Sequence, residues 1–358
     1  MWPDRRLLDL FGIDLPIIQA PMAGAVGPEL IIAAADAGAL GSLPCAMLTP
    51  DKAREQIAII KQRTSKPLNV NFFCHTPVAA DAASEAKWRA RLAGYYKEHG
   101  LDPDAPVPSA SRSPFDEAMC GVIEETKPKI ASFHFGLPDA KLLQRVKAAG
   151  CIVLSSATTV AEARWLEAHG ADVIIAQGNE AGGHRGMFLT DRVDQQPGTF
   201  ALVPQVVDAV RVPVIAAGGI SDGRGIAAAF ALGASAAQVG TAYLKCPESI
   251  IGKPYREGLA RADSDSTAVT NLMTGKPARG IVNRVMAEIG PLSGDAPAFP
   301  HAATALAPLR AAAEKNGSGE FTPMWSGQAA ALAETLPAAE LTRKLADDAL
   351  RRLRQIAA

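Results

Sequence analysis

Short apolar runs alternate with Ala-rich amphipathic stretches from Pro16 to Val239, and there are eight of them, which narrows the possible folds sharply. The runs are Pro16–Ala20, Ala39–Leu43, Leu68–Phe73, Ile130–Phe135, Ile152–Ser155, Val173–Ala176, Val214–Ala217 and Ala236–Val239. Each is short and continuous, as expected of a strand buried on both faces. The stretches between them, such as those near Pro28 to Ala37 and Pro50 to Arg63, have helical spacing. A doubly wound open sheet would show the same rhythm, but a count of eight points to an α/β fold of the (β/α)8 TIM barrel type.

A barrel of this kind takes about 250 residues, and the chain has 358. Residues 1–244 are read as the barrel, and the surplus falls in two places. One is a helical insertion at about 75–127, where Trp88, Tyr95 and Tyr96 sit in a charged helical pattern; the other is a Pro- and Gly-rich, mostly helical substrate or lid subdomain at 245–319. Both follow strand ends, so both are expected to form a small second domain over the C-terminal face, where barrels keep their active sites. Residues 320–358 return to the barrel, with a packing helix over Pro337 to Ile356.

The net charge of −1 excludes a general nucleic-acid binder. The stretch from Gly225 to Leu244 is uncharged and long enough to span a bilayer, but Gly233, Ser235, Gln238 and Gly240 break it into an ordinary helix, turn and strand, so no membrane partner is expected. Five cysteines without CxxC spacing argue against a disulfide framework or a zinc site and fit a reducing cytoplasm. Asp4, Asp9 and Asp14 interrupt the first apolar stretch, so no signal peptide is expected.

Chemistry concentrates in Ala176–Gly186, where a lone His184 sits on a glycine-rich turn directly after a buried strand. Glu180 and His184 are four residues apart and would share a helical face as metal ligands, but Gly182 and Gly183 oppose that helix, so no metal is expected. A structural histidine bonded to backbone is the competing reading. His134 ends another strand, and strand alternation allows it to face either the rim or the helix layer. His75, His99, His169 and His301 read as surface or loop residues.

The second informative block is Val212–Gly225, a strand ending in Gly218 and Gly219 before a helix that starts near Ser221 or Asp222. Bare amides at such a helix start bind anions, and the next strand ends similarly at Gln238–Thr241, so both loops are expected to converge on one phosphate. Gly223–Ala228 matches GxGxxA only loosely, with no acidic residue after the next strand, and no Walker loop, GxSxG or metal-spaced histidine cluster is present.

In order, the chain carries QAPMAG (Gln19–Gly24), NVNF (Asn69–Phe72), SFHFGLP (Ser132–Pro138), SSATT (Ser155–Thr159), AQGNEAGGHR (Ala176–Arg185), AGGI (Ala217–Ile220), QVGT (Gln238–Thr241) and WSGQ (Trp325–Gln328). This set resembles the nitronate monooxygenases, once called 2-nitropropane dioxygenases, and within them class I. The resemblance implies FMN with its phosphate at Gly219 and the turn of Gln238, Val239, Gly240 and Thr241. It implies Met22, Asn71, Gln177 and Gly182 around the ring and ribityl chain, with Ser326, Gly327 and Gln328 nearby. It further implies that His184 is the catalytic residue and that a nitronate such as propionate 3-nitronate gives one electron to the flavin, forming a semiquinone that reacts with O2. The products are a carbonyl compound and nitrite or nitrate.

An imidazole with an unperturbed pKa near 6.5 can both stabilise nitronate oxygens and take an α-proton. The substrate carboxylate needs a partner, and Arg185, Lys276, Arg279, Tyr95 and Tyr96 are the candidates, with His134 as a further pocket residue. Expected partners are the small nitronate and O2, with the chain a monomer or homodimer. Two alternatives stay open: an NAD(P)H-dependent enoyl-acyl-carrier-protein or quinone reductase that resembles this chain in its flavin motifs, and a flavin-binding protein without turnover.

Overall fold

In a computed structural model, which describes residues 1–108 and 112–357, the eight apolar runs become eight parallel strands. They span Ile17–Gln19, Gly41–Pro44, Leu68–Phe73, Ile130–His134, Ile152–Ala157, Val173–Gln177, Val214–Ala217 and Ala236–Val239. From the second on, each pairs with the next, the first pairs with the eighth through Ile17 opposite Ala237, and the first meets the second through a single bridge from Ile18 to Leu40. The ring is therefore closed, and the fold is the (β/α)8 barrel.

Side chains such as Val70, Val153, Ile174, Ile215 and Val239 are fully buried, which is why these runs carry almost no charge. Polar groups inside the barrel are tied to one another: the Ser42 amide donates to Gln19 Oε1 at 3.0 Å, and Asn69 Nδ2 donates to Ser42 Oγ at 3.0 Å. Most crossover helices start on side-chain caps, with Thr49, Asp139, Thr159 and Asp222 accepting from first-turn amides, whereas Pro28–Asp36 and Thr199–Ala209 start on glycine. The C-terminal helix Ala338–Ala357 packs against helices Gly223–Ala231 and Pro28–Asp36, burying Leu341, Leu345 and Ala349. It fills the outer-layer place beyond the eighth strand.

The two insertions build one structure. Helix Ala82–Glu98 packs on helix Ala302–Lys315, and Trp88, Leu92 and Tyr96 join Leu306, Leu309 and Phe321 in a core separate from that of the barrel. Trp88 Nε1 donates to Ala302 O at 3.1 Å, and the Arg284 guanidinium ties Glu98 to Glu320.

Two expectations are corrected here. Helix Glu117–Thr126 belongs to the barrel, since it buries Met119, Cys120, Val122 and Ile123 and lies between helices Pro50–Arg63 and Ala140–Ala148. The first insertion therefore ends before residue 117. The second insertion is mixed: beside helices Lys253–Arg261, Arg284–Ile289 and Ala302–Lys315 it contains antiparallel strands Thr267–Thr270 and Ala278–Ile281. The latter strand also pairs with Gly183–His184, stitching the lid to the barrel rim. No helix among the described residues is long and apolar enough to cross a membrane.

Candidate active site

A cleft of about 310 Å³ opens at the C-terminal rim of the barrel, between the strand ends and the inserted layer. Met22, Asn71, Gln177, Gly182, Gly219, Gln238, Gly240, Thr241 and Gly327 line it, together with His134 and His184. Thus residues scattered over most of the chain meet in one concavity of the size small-molecule sites occupy.

His184 stands on a two-residue strand rather than a free loop. Gln177 fixes the turn, donating from Nε2 to His184 O at 3.0 Å and accepting from the Gly186 amide at 2.7 Å. The ring lies among Phe73, Phe135, Phe299 and Trp325, with centroids 5.9, 6.0, 5.5 and 5.4 Å away. Burial above all, then the neighbouring Arg112, His134, Lys276 and His75, hold its pKa well below the usual 6.5. The resting imidazole is therefore neutral.

Its Nε2 lies 2.9 Å from Thr274 Oγ1, and that hydroxyl is also 3.4 Å from Lys276 O. If the hydroxyl donates to Nε2, Nδ1 carries the proton and can donate to an anionic substrate; if it donates to Lys276 O, Nε2 donates to it and Nδ1 is a free base. One hydroxyl thus serves both tautomers. Thr274→Val removes that partner and is expected to lower kcat/KM about 10-fold, the worth of one hydrogen bond at the upper end of the neutral range. An unchanged value in steady-state assays would show that Thr274 does not orient the ring.

His134 faces the rim. A carbonyl only accepts, so the 3.1 Å contact to His184 O places a proton on His134 Nε2, and Nδ1 then accepts from Ser156 Oγ at 3.1 Å. Burial pushes its pKa down to about 4, so it too is neutral. His75, expected at the surface or in a loop, stands on a loop but is buried, with its ring 4.7 Å from Phe299 and its pKa lowered to about 4 by burial and then by Lys276. Its neighbours are aromatic residues that come from distant segments, which is why local sequence hides it.

Several other candidates lie elsewhere. Tyr96 is buried in the lid core with its hydroxyl on Ala305 O at 2.6 Å, and Tyr95 donates to Glu288 and stacks against Arg284. Arg185 is buried behind the rim, held by Gln196 Oε1 at 2.7 Å and Gln177 O at 2.8 Å. Arg279 donates to Asn179 O at 2.9 Å, and Lys276 rests its ammonium 4.7 Å from the Phe135 ring, outside the cleft lining but near His184. Val239 is buried in the strand, Ser326 is buried with its hydroxyl on Gly327 O at 3.2 Å, and Gln328 is exposed. Two cations in the cleft lining escaped sequence reasoning: Arg310, which is paired with Glu314 at 2.7 Å, and Arg112, beside Phe299 at 5.9 Å.

The phosphate end also differs in detail. Asp222 accepts from the amides of Arg224 at 2.9 Å and Gly225 at 3.3 Å, so that helix start is already capped. What remains for an anion is the loop itself: Gly218 and Gly219 have φ of 110° and 69°, a left-handed backbone that glycine adopts readily, and they line the cleft opposite Gly240 and Thr241. Gln238 Oε1 is buried without a protein partner at the same place. A bare glycine-lined loop and an unsatisfied carboxamide fit a flavin nucleotide, which offers phosphate and ribityl hydroxyls as partners.

Comparison with known proteins places this barrel, first, in the class of flavin-dependent oxidoreductases. A family profile described as nitronate monooxygenase matches residues 4–348, and the chain belongs to that family. A nitronate monooxygenase of Paraburkholderia phytofirmans is 46% identical over 99% of this chain and 98% of its own length. Among solved structures, a nitroalkane oxidase from Streptomyces ansochromogenes is 38% identical with a TM-score of 0.89, covering 98% of this chain and 99% of its own. FabK from Thermotoga maritima follows at 29% identity and a TM-score of 0.75, covering 100% of this chain and 99% of its own.

Proposed function

We propose that the protein binds FMN and oxidises small alkyl nitronates, propionate 3-nitronate foremost, with O2 to a carbonyl compound and nitrite or nitrate, in the cytoplasm, as a monomer or homodimer. The observation that carries this reading is a neutral His184 facing the cleft while the nearby fixed charges acting on it are cations. Such a site suits an electron-rich anion.

Bound FMN would supply the electron acceptor. Gly219, Gly240 and Thr241 would take its phosphate, Gln238 the ribityl chain, and Met22, Asn71, Gln177 and Gly182 the surroundings of the ring. His184 Nδ1 then donates to a nitronate oxygen, or accepts the α-proton of a nitroalkane, according to which way Thr274 turns its hydroxyl. His134 and Gln177 hold the His184 carbonyl from two sides, which keeps the ring in place without titrating near neutrality. The aromatic wall of Phe73, Phe135, Phe299 and Trp325 keeps water from the reacting carbon.

The FabK likeness keeps a nicotinamide-dependent reductase as the rival, and one experiment separates the two. The purified protein is mixed anaerobically with propionate 3-nitronate and, separately, with NADH or NADPH, while the flavin absorbance is followed. We expect a prompt change with the nitronate and little with either nicotinamide. Rapid bleaching by a nicotinamide alone would replace this reading with the reductase.

A further inference from the structure

We infer that Arg112 selects the substrate: it binds a carboxylate at the far end of a small nitronate whose reacting carbon sits at His184. The inference rests on the nitronate reading above and adds a specificity-determining residue to it.

Arg112 lines the cleft together with His184, and both pack on Phe299, which lies 5.9 Å from the guanidinium carbon and 5.5 Å from the imidazole centroid. After burial, Arg112 is the leading cause of the lowered His184 pKa, so the two groups are close enough to feel one another. Among the described residues no carboxylate compensates its charge. The groups that act on it are burial and Arg310, with no carboxylate among them, whereas Arg310 is paired with Glu314 at 2.7 Å. A largely buried guanidinium without an anion is costly unless a ligand supplies one.

The other cations near the site are placed differently. Arg185 and Arg279 are anchored to backbone and side-chain oxygens, with Arg185 Nη1 unpartnered, Lys276 sits on the Phe135 face, and none of the three lines the cleft. The planar fork of Arg112 matches a carboxylate in two-point contact. A nitronate at His184 and a carboxylate at Arg112 would bracket the Phe299 ring, which favours a substrate with an anion at each end of a short chain.

The test compares propionate 3-nitronate with propyl 1-nitronate, which has the same reacting group and no carboxylate. Arg112→Met is expected to raise KM for the first by about 10- to 100-fold, the range for a charge-assisted hydrogen bond. KM for the second should change by less than about 3-fold, kcat for both should persist, and Arg112→Lys should recover part of the loss. Parallel losses with both nitronates, or no change with either, would overturn the assignment. In the unaltered protein butyrate should inhibit competitively and 1-butanol should not, and failure of butyrate to inhibit would also count against it. A wild-type protein that turns over neither nitronate would refute the nitronate reading itself.

Discussion

Replacing Gly182 by alanine is expected to cost the protein about 1–3 kcal/mol of stability or more and to empty its flavin site. A Cβ on Gly182 would lie 2.6 Å from both the Gly327 amide and the Ser326 carbonyl carbon. These are backbone atoms, so no rotamer change relieves the clash. The segment they belong to is itself tied down: the Gly327 amide donates to Thr241 Oγ1 at 2.9 Å, the Gln328 amide to Glu180 O at 3.0 Å, and the Ser326 amide to Arg279 O at 3.3 Å. Pushing this segment away moves Thr241 at the phosphate end and the His184 turn together. Thermal unfolding and the ratio of flavin to protein absorbance measure both effects. A Gly182→Ala protein that melts at the wild-type temperature with full flavin content would show that the contact between the two segments is not required.

That contact also marks where sequence reasoning stops. The motifs around Gly182 and Ser326–Gln328 stand out in the chain, but nothing local shows that one braces the other, because the contact spans more than 140 residues and depends on the lid strand Ala278–Ile281. That strand is short and lies in a Pro- and Gly-rich region, where periodicity gives no signal. The barrel strands were legible for the opposite reason. Burial on both faces requires unbroken apolar runs, and six of the eight, among them Val173–Gln177 and Val214–Ala217, begin where the apolar pattern begins.

The polar part of the site divides in the same way. His134 ends a barrel strand and His184 follows one closely, so the barrel rule brings both to the rim end, while strand alternation left the direction of His134 open until the structure turned it to the rim. Arg112 lies between a lid helix and a barrel helix with no periodic pattern to mark it, and Tyr95 and Tyr96 looked like pocket residues because their helix was known to cover the mouth while its inward face was not. That face points to helix Ala302–Lys315, and their hydroxyls are used up there or on Glu288. Asp222 shows a further limit: a helix start predicted as an anion seat is occupied by its own cap.

His184→Asn should lower kcat/KM for propionate 3-nitronate by about 10-fold or more, and for a neutral nitroalkane by about 10²- to 10⁴-fold, the usual worth of general base catalysis. Asparagine keeps a donor near the nitronate but has no basic nitrogen, so the two substrates separate hydrogen bonding from proton removal. The pH profile gives an independent reading. Because burial, Arg112, His134, Lys276 and His75 all depress the His184 pKa, the neutral ring persists as pH falls through 6.5, and the wild-type rate should stay level there where an exposed histidine base would titrate. Flavin content serves as the control, since the backbone bonds from Gln177 and His134 to residue 184 do not depend on its side chain. Unchanged nitronate turnover in a flavin-replete His184→Asn protein would remove the histidine from the mechanism and leave the aromatic wall and Arg112 to account for catalysis by positioning alone.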